Sequence, residues 1–429
     1  MDIGKMRRNK MERTIEKGNT LIVSGPASVT LIEGKITILG STMVLYKKVI
    51  IRKGKTLPLE VEKNSRLDVK ISSKAYTDEI TGSIIPDSWR TITEEVLKKQ
   101  KPSTILILGN IDCGKSTLCT FFANHALRMQ FETVIIDADI EQADIGPPAT
   151  IGLGLVQRPV SDLFYLKAYE AYFTGNTNPK TVTESVIEGI TLLKKRAEEM
   201  ESQVIIINTD GWIQGEDAKE FKTSMIRRLL PNTVIGLQNN NDLENILKPI
   251  EEEGFNVYRL NPFPLTKNIS REIRRELREQ SYKKYLRGNV LRNLQMNWIQ
   301  LERIPLCKGT SLNENRLKDL EEKIECKIVY CEETPEKLFI VLEEENQINN
   351  KKIIEIEELL TKKVHTINDG MEKGLVVSLL DQNHHFLGLG VISKIDYKNK
   401  KLKLFTPCRK KISIVQFGQI KSNRDGKEL

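Results

Sequence analysis

Apolar residues recur along this chain in three different ways. From Gly18 to about Ile92 they form short runs rich in β-branched residues: Thr20–Val23, Val29–Leu31, Lys35–Leu39, Lys48–Arg52 and Leu67–Ile71. Gly25-Pro26, Glu33-Gly34 and Lys53-Gly54 interrupt them, which predicts strands joined by tight turns in a small β-sandwich or barrel. The polar, basic stretch Glu94–Lys101 follows as a linker or helix. From Pro102 to about Gly288 the runs Thr104–Leu108, Thr133–Asp137, Gln203–Asn208, Thr233–Leu237 and Asn256–Leu260 are apolar without alternation. Helical patterns separate them, as at Lys115–Arg128, Thr181–Glu201 and Asp217–Leu230. Buried strands joined by helices predict a largely parallel sheet covered on both faces.

Beyond about Asn289 strands return at Lys327–Tyr330, Leu338–Leu342, Gly374–Leu380, Gly388–Ile395, Lys401–Phe405 and Ser413–Phe417. Asn368-Asp-Gly and Arg424-Asp-Gly supply turns, and no internal repeat is visible. The expected architecture is α/β: a central sheet flanked by N- and C-terminal β-rich domains, divided at 1–92, 93–289 and 290–429. A chain of 429 residues with 39% apolar and 29% charged content fits two or three globular domains.

The net charge of +8 suits a polyanionic partner and equally a solvated lysine-rich surface. The six cysteines, Cys113, Cys119, Cys307, Cys326, Cys331 and Cys408, show no C-x-x-C spacing. Reduced thiols are therefore expected, and no structural zinc. The start, Met1-Asp-Ile-Gly-Lys-Met-Arg-Arg, is polar, and no run is long and apolar enough for a bilayer. A soluble, cytoplasmic protein without a membrane partner is expected.

Candidate chemistry begins at Gly109-Asn-Ile-Asp-Cys-Gly114-Lys115-Ser116, a match to G-x-x-x-x-G-K-[ST] between an apolar strand and a helical pattern. Glycines let the backbone curl around an anion, and a helix N-terminus adds partial positive charge. Gly109, Asn110, Asp112, Cys113, Gly114, Lys115, Ser116 and Thr117 are the expected nucleotide contacts. Lys115 would reach the β- and γ-phosphates, and Ser116 would offer its hydroxyl to magnesium. The next strand ends in Asp137-Ala-Asp139-Ile-Glu141-Gln142. Asp137, at the strand edge beside the loop, is the expected metal carboxylate. Asp139 reaches further, either to an acceptor hydroxyl as general base or merely to cap the turn.

In this order, the residues resemble the RNA-directed polynucleotide 5′-hydroxyl kinase family, and archaeal members in particular. That family carries a P-loop, then D-x-D-x-G-Q, a Thr/Ser-x-Pro clasp, a Thr-x-Gly-Trp segment and an arginine-rich lid helix. Here Glu141 replaces the glycine. Phe173-Thr-Gly-Asn-Thr177-Asn178-Pro179 is similar to the clasp, Thr209-Asp-Gly211-Trp212 to the tryptophan segment, and Ser270–Arg278 with Tyr285–Gly288 to the lid. Gly374–Asp381 and Leu387-Gly-Leu-Gly resemble the archaeal C-terminal domain. The resemblance implies transfer of the γ-phosphate of ATP, with magnesium, to the 5′-hydroxyl of RNA, DNA ends staying open. It also implies RNA-processing proteins as partners and places Gln142, Thr177, Asn178, Pro179 and Trp212 at the substrate.

Arg271, Arg274, Arg275 and Arg278 stand at i, i+3, i+4 and i+7, a cationic stripe on a helix. Arg274, Arg275 and Arg278 could neutralise charge on a transferring phosphoryl group, while Ile269, Ile273 and Leu277 would anchor the helix to the sheet. The same stripe could instead grip RNA phosphates. Trp212 could stack on a terminal base or pack the loop. Three other readings stay open: a GTPase, for which Asn239-Asn-Asn-Asp242 lacks the guanine-selecting lysine, a non-catalytic ATP-binding scaffold, and a small-molecule kinase.

Overall fold

The structure of the chain, a computed structural model, describes residues 9–99, 101–265, 269–306, 308–344 and 348–429. Cys307 lies outside them. The chain divides between Ser281 and Tyr282 into two compact units.

The first unit opens with a seven-stranded sheet built on two long strands, Ala27–Ile38 and Thr56–Ile71. The expected strands Val29–Leu31 and Lys35–Leu39 are thus one. Glu33-Gly34 is a bulge rather than a turn: the pairing register shifts on both sides of it and Gly34 has φ +98°. An extra residue bends a strand without ending it, and only glycine takes that backbone cheaply. Alternation along Ala27–Leu31 buries Ala27, Val29 and Leu31. Glu94–Lys101 belongs mostly to the helix Asp87–Lys98, which spans the expected 92/93 boundary.

The second sheet runs Ala168–Phe173, Thr150–Leu155, Thr133–Ala138, Val204–Thr209, Ser103–Gly109, Thr233–Leu237, Val257–Leu260. The last five are parallel, as the unbroken apolar runs predict; the first two form an antiparallel hairpin at one edge. The central strand, Val204–Thr209, sets Asn208 level with Asp137 on one side and Ile107 on the other. The strand ends carrying the P-loop and the acidic turn thereby flank it, one on each side. One face of this sheet packs with Trp89, Phe121 and Phe122 into a core shared with the N-terminal sheet. The other face is covered by Thr183–Glu199, Glu216–Leu229 and Glu244–Glu252.

A buried cation joins the two sheets of this unit. Arg52, at the end of Lys48–Ile51, donates to Asp162 (2.7 and 2.8 Å) and Asp144 (2.6 Å), and Lys55 donates to Asp144 (3.1 Å). Burial alone would pull the Arg52 guanidinium down, but Asp144 and Asp162 outweigh it and hold it above its ordinary value.

The second unit holds a six-stranded sheet, Val290–Gln295, Lys401–Thr406, Phe386–Asp396, Leu375–Leu380, Ile414–Lys421, Gln300–Glu302, with its own apolar core. A four-stranded sheet in the same unit packs with two helices, Glu314–Ile324 and Asn350–Leu360, which the strand-rich pattern did not reveal. Among the described residues no helix is long and apolar enough to cross a membrane.

Removing Arg52 would take from the buried Asp162 its cation and leave Asp144 with Lys55 alone. Arg52→Ala is expected to cost about 3–5 kcal/mol, read as a lowered melting temperature by circular dichroism. Burial pushes the Asp144 carboxyl up, but Lys55 and Arg52 outweigh it and hold it below its ordinary value. The clamp's contribution should therefore be complete above pH about 4 and be lost as pH falls below that, so wild type and Arg52→Ala converge in acid.

Candidate active site

Strand Ser103–Gly109 delivers the loop, and helix Lys115–Arg128 starts after Gly114. Gly114 is left-handed (φ +99°), and a Cβ there would lie 2.7 Å from Phe263 Cβ. Conformation and space both demand glycine. No side chain caps this helix start, which leaves the first-turn N–H groups to an anion. Lys115 is buried and its Nζ donates to the carbonyls of Gly109 (3.0 Å) and Asn110 (2.8 Å), folding the ammonium over the loop.

Asp137 is fully buried behind the loop. Its Oδ2 accepts from the N–H of Asp144 (2.8 Å) and Ile145 (3.1 Å), and its Oδ1 from Asn208 Nδ2 (2.8 Å). Asn208 Nδ2 also lies 3.4 Å from Ser116 Oγ, so one amide spans the candidate metal carboxylate and hydroxyl. Burial and then Asp144 push the Asp137 carboxyl above its ordinary value, against these hydrogen bonds.

Asp139 instead lines a cavity of about 530 Å³, together with Ser116, Gln142, Lys55, Tyr76 and Arg274. Burial pushes its carboxyl up to about 7, with Lys115 opposing. Its Oδ1 accepts from Gln142 N–H (3.0 Å). Gln142 Nε2 is buried without a hydrogen-bond partner, a donor pointing to a missing acceptor. Glu141 is not among the residues with positive φ, so the turn does not need the glycine it replaces.

The lid helix Arg271–Leu286 divides its stripe. Arg274 pairs with Asp112 of the P-loop and Arg278 lies 3.7 Å from Glu141, both side chains largely covered. Arg275 is exposed and pairs with Glu279 on its own helix. Asp112 also accepts from Ile269 N–H (3.0 Å). The apolar face does not lie on the parallel sheet, as the spacing suggested. Ile269, Ile273 and Leu277 surround Gly54 of the N-terminal sheet, whose missing side chain makes the room. Ser281 Oγ donates to the acidic turn at Ala143 and Gly146 (both 3.2 Å).

Trp212 and the clasp do not line the cavity, and Lys180, directly after the clasp, reaches the indole. The indole stacks on Phe221 (5.8 Å between centroids, 25°), and Lys180 Nζ sits 5.4 Å from its ring. Asn178 caps the short helix Pro179–Thr181 through Lys180 N–H (3.1 Å); Pro179 is buried and Thr177 half-buried. Asn239–Asp242 do not line the cavity either.

The family described as mRNA cleavage and polyadenylation factor CLP1 P-loop matches residues 109–288. A polyribonucleotide 5′-hydroxyl-kinase of Methanocaldococcus jannaschii is 32% identical over 370 residues, 85% of this chain and 98% of that one. The chain belongs to the polyribonucleotide 5′-hydroxyl-kinase family. A second relative of that name, from Pyrococcus abyssi, is 30% identical and covers 80% of this chain and 95% of its own. A solved structure of Clp1p with Pcf11p shares the fold at a TM-score of 0.66 and 12% identity, covering 97% of this chain and 99% of that one.

Several residues of this member of the kinase family escaped the motif reading. Asn208, the amide between Ser116 and Asp137, ends an apolar strand and looks like ordinary polar punctuation. Asp144 is a third aspartate, seven residues after Asp137; its backbone N–H holds Asp137 and its side chain meets Arg52 and Lys55. Lys222 is fully buried and donates to Asp210 (2.6 Å), whose other oxygen accepts from Trp212 N–H (2.9 Å). Burial lowers the Lys222 ammonium even against Asp210. An unbroken helical pattern concealed that pair.

The raised Asp139 carboxyl has a measurable cost. The unfolded chain ionises it near 4, the folded protein near 7, so stability is lost as pH rises between them. In metal-free protein Asp139→Asn is expected to leave the melting temperature unchanged below pH about 4 and to raise it above pH 7. Parallel thermal melts of the two proteins across that range check the sign.

Proposed function

We propose that this chain transfers the γ-phosphate of ATP to the 5′-hydroxyl of an RNA end. One observation carries the reading: Lys115, Ser116 and Asp139 face the same cavity, beneath a lid helix whose Arg274 is tied to the P-loop. The acceptor oxygen forms its bond to the γ-phosphorus as the bond to the β-γ bridging oxygen breaks, and the hydroxyl proton passes to Asp139. A carboxylate titrating near 7 is matched to that task. Lys115, swung from its loop carbonyls to the phosphates, and Arg274 and Arg278 supply positive charge where the equatorial oxygens gain negative charge. Arg275, on the exposed side of the helix, suits the other expected role of gripping RNA phosphates.

Ser116 and Asp137, bridged by Asn208, are an oxygen donor set suited to magnesium, which keeps phosphate and water ligands of its own. When bound, the ion would neutralise phosphate charge. The orphan Gln142 Nε2 is a donor for substrate oxygen. Thr177, Asn178, Pro179 and Trp212 form the approach for the RNA end, and RNA-processing proteins are the expected partners. Residues 93–289 carry the chemistry in this proposal, with 1–92 and 290–429 flanking it.

Purified protein with magnesium and γ-labelled ATP is expected to label 5′-hydroxyl RNA oligonucleotides, with matched DNA measuring selectivity. Lys115→Ala should abolish labelling with the melting temperature retained. Asp139→Asn should lower turnover about 10²–10⁴-fold with ATP affinity kept. ATP binding without any labelled RNA end would replace this reading by the scaffold one.

Trp212 is placed to reveal whether the clasp side receives the RNA. Trp212→Ala should weaken RNA binding by about 1–3 kcal/mol irrespective of the first base, and Trp212→Phe should restore much of it. Titrations beside thermal melts decide: a lowered melting temperature with unchanged affinity would assign the indole to packing on Phe221 alone.

A further inference from the structure

The second unit carries a surface that the reaction does not use. Over residues 394–411 the chain has eight Lys and Arg and a single Asp. This segment includes the strand Lys401–Thr406, which pairs with the edge strand Val290–Gln295. Alternation sends Leu402 and Leu404 into the core and turns Lys401, Lys403 and Phe405 to the opposite face. Lys394 is level with Lys403 on the next strand, and Leu291, 49% exposed, is level with Phe405 on the edge strand. Arg424 lies over the Phe405 ring at 5.8 Å. At the other end, the N–H of Met296 bonds to Lys400 O in the turn before Lys401. Two residues beyond Met296 stands Trp298, 83% exposed.

A solvated sheet face accounts for lysines, but not for an uncovered indole beside them or for an exposed leucine in the same row. Asp396, level with Lys401 and two residues from Lys394, is an acid within the row, its carboxyl held below the ordinary value first by Asn399 and then also by Lys403 and Lys401. One carboxylate against Lys394, Lys401 and Lys403 leaves the row net positive. A row of cations with aromatic rings at its ends is what a single-stranded polynucleotide requires: phosphates meet the charge, and bases of any identity stack on the rings. Cations two residues apart along a strand repeat about every 6.8 Å, so an extended chain lying along the row meets them in succession.

We propose that this face, Lys394, Lys401, Lys403, Phe405, Arg424 and Trp298, binds the single-stranded body of the RNA, nucleotides downstream of the end that is phosphorylated. The proposal rests on the kinase reading for the identity of the strand, but its test does not. Binding is read without ATP, by fluorescence anisotropy of 3′-labelled RNAs of about 16 and about 4 nucleotides. The variant Lys394→Gln/Lys401→Gln/Lys403→Gln should weaken the longer RNA about ten-fold or more and flatten the slope of log Kd against log salt by about 2, at about 0.7 per lost phosphate contact. The shorter RNA should bind as to wild type. Trp298→Ala or Phe405→Ala should weaken the longer RNA about ten-fold with the slope intact. Melting temperatures of all variants accompany the titrations, and Lys394→Glu, at an exposed position, replaces the triple variant should that fail to fold. An unchanged affinity and slope for the longer RNA, or equal losses for both lengths, would overturn the proposal. A wild-type protein that binds RNA through this face yet labels no end would overturn the kinase reading alone.

Discussion

The site depends on one register: the parallel pairing of Val204–Thr209 between the strand that carries the P-loop and the strand that carries the acidic turn. That pairing sets Asn208 beside Asp137 and within reach of Ser116, so a single amide ties the two elements together. A slip of one residue would turn Asn208 to the opposite face and leave the buried Asp137 Oδ1 with only the long contact from Asp139 N–H (3.4 Å). The burial that fixes the register is the same burial that raises both carboxylates of the turn.

Concentrating carboxylates creates a second requirement. Asp137, Asp139 and Asp144 crowd one turn, and the P-loop supplies only Lys115 close by. The N-terminal sheet brings the rest: Arg52 and Lys55 against Asp144, with Asp162 completing the cluster. Asp144 thus has two duties. Its side chain meets the cations, while its backbone N–H holds Asp137. The same sheet offers Gly54 as the seat for the apolar face of the lid helix. The flanking domain is therefore part of the site, because it neutralises charge and carries the lid.

Much of this was legible in the chain itself. The P-loop and its helix Lys115–Arg128 were, because a strand, a glycine loop and a helix are contiguous and their chemistry is local. The five parallel strands were also legible, since burial on both faces leaves unbroken apolar runs. The hairpin Thr150–Leu155 with Ala168–Phe173 was not, because Gly152 and Gly154 interrupt its apolar pattern. Nor were the helices Glu314–Ile324 and Asn350–Leu360, short amphipathic segments rich in charge.

The sequence by itself determined which residues are chemically able to act: the P-loop lysine and serine, the paired acids and the arginine stripe. It could do so because their spacing lies within one loop, one strand end or one helix. Tertiary structure alone decided which of them meet. It turned Arg274 and Arg278 inward and left Arg275 outside, placed Asp139 in the cavity and Asp137 behind it, and set Arg52 against Asp144, 92 residues away. These choices depend on how separately encoded surfaces pack and on which charges burial forces into pairs. Neither is written in any one segment of the chain.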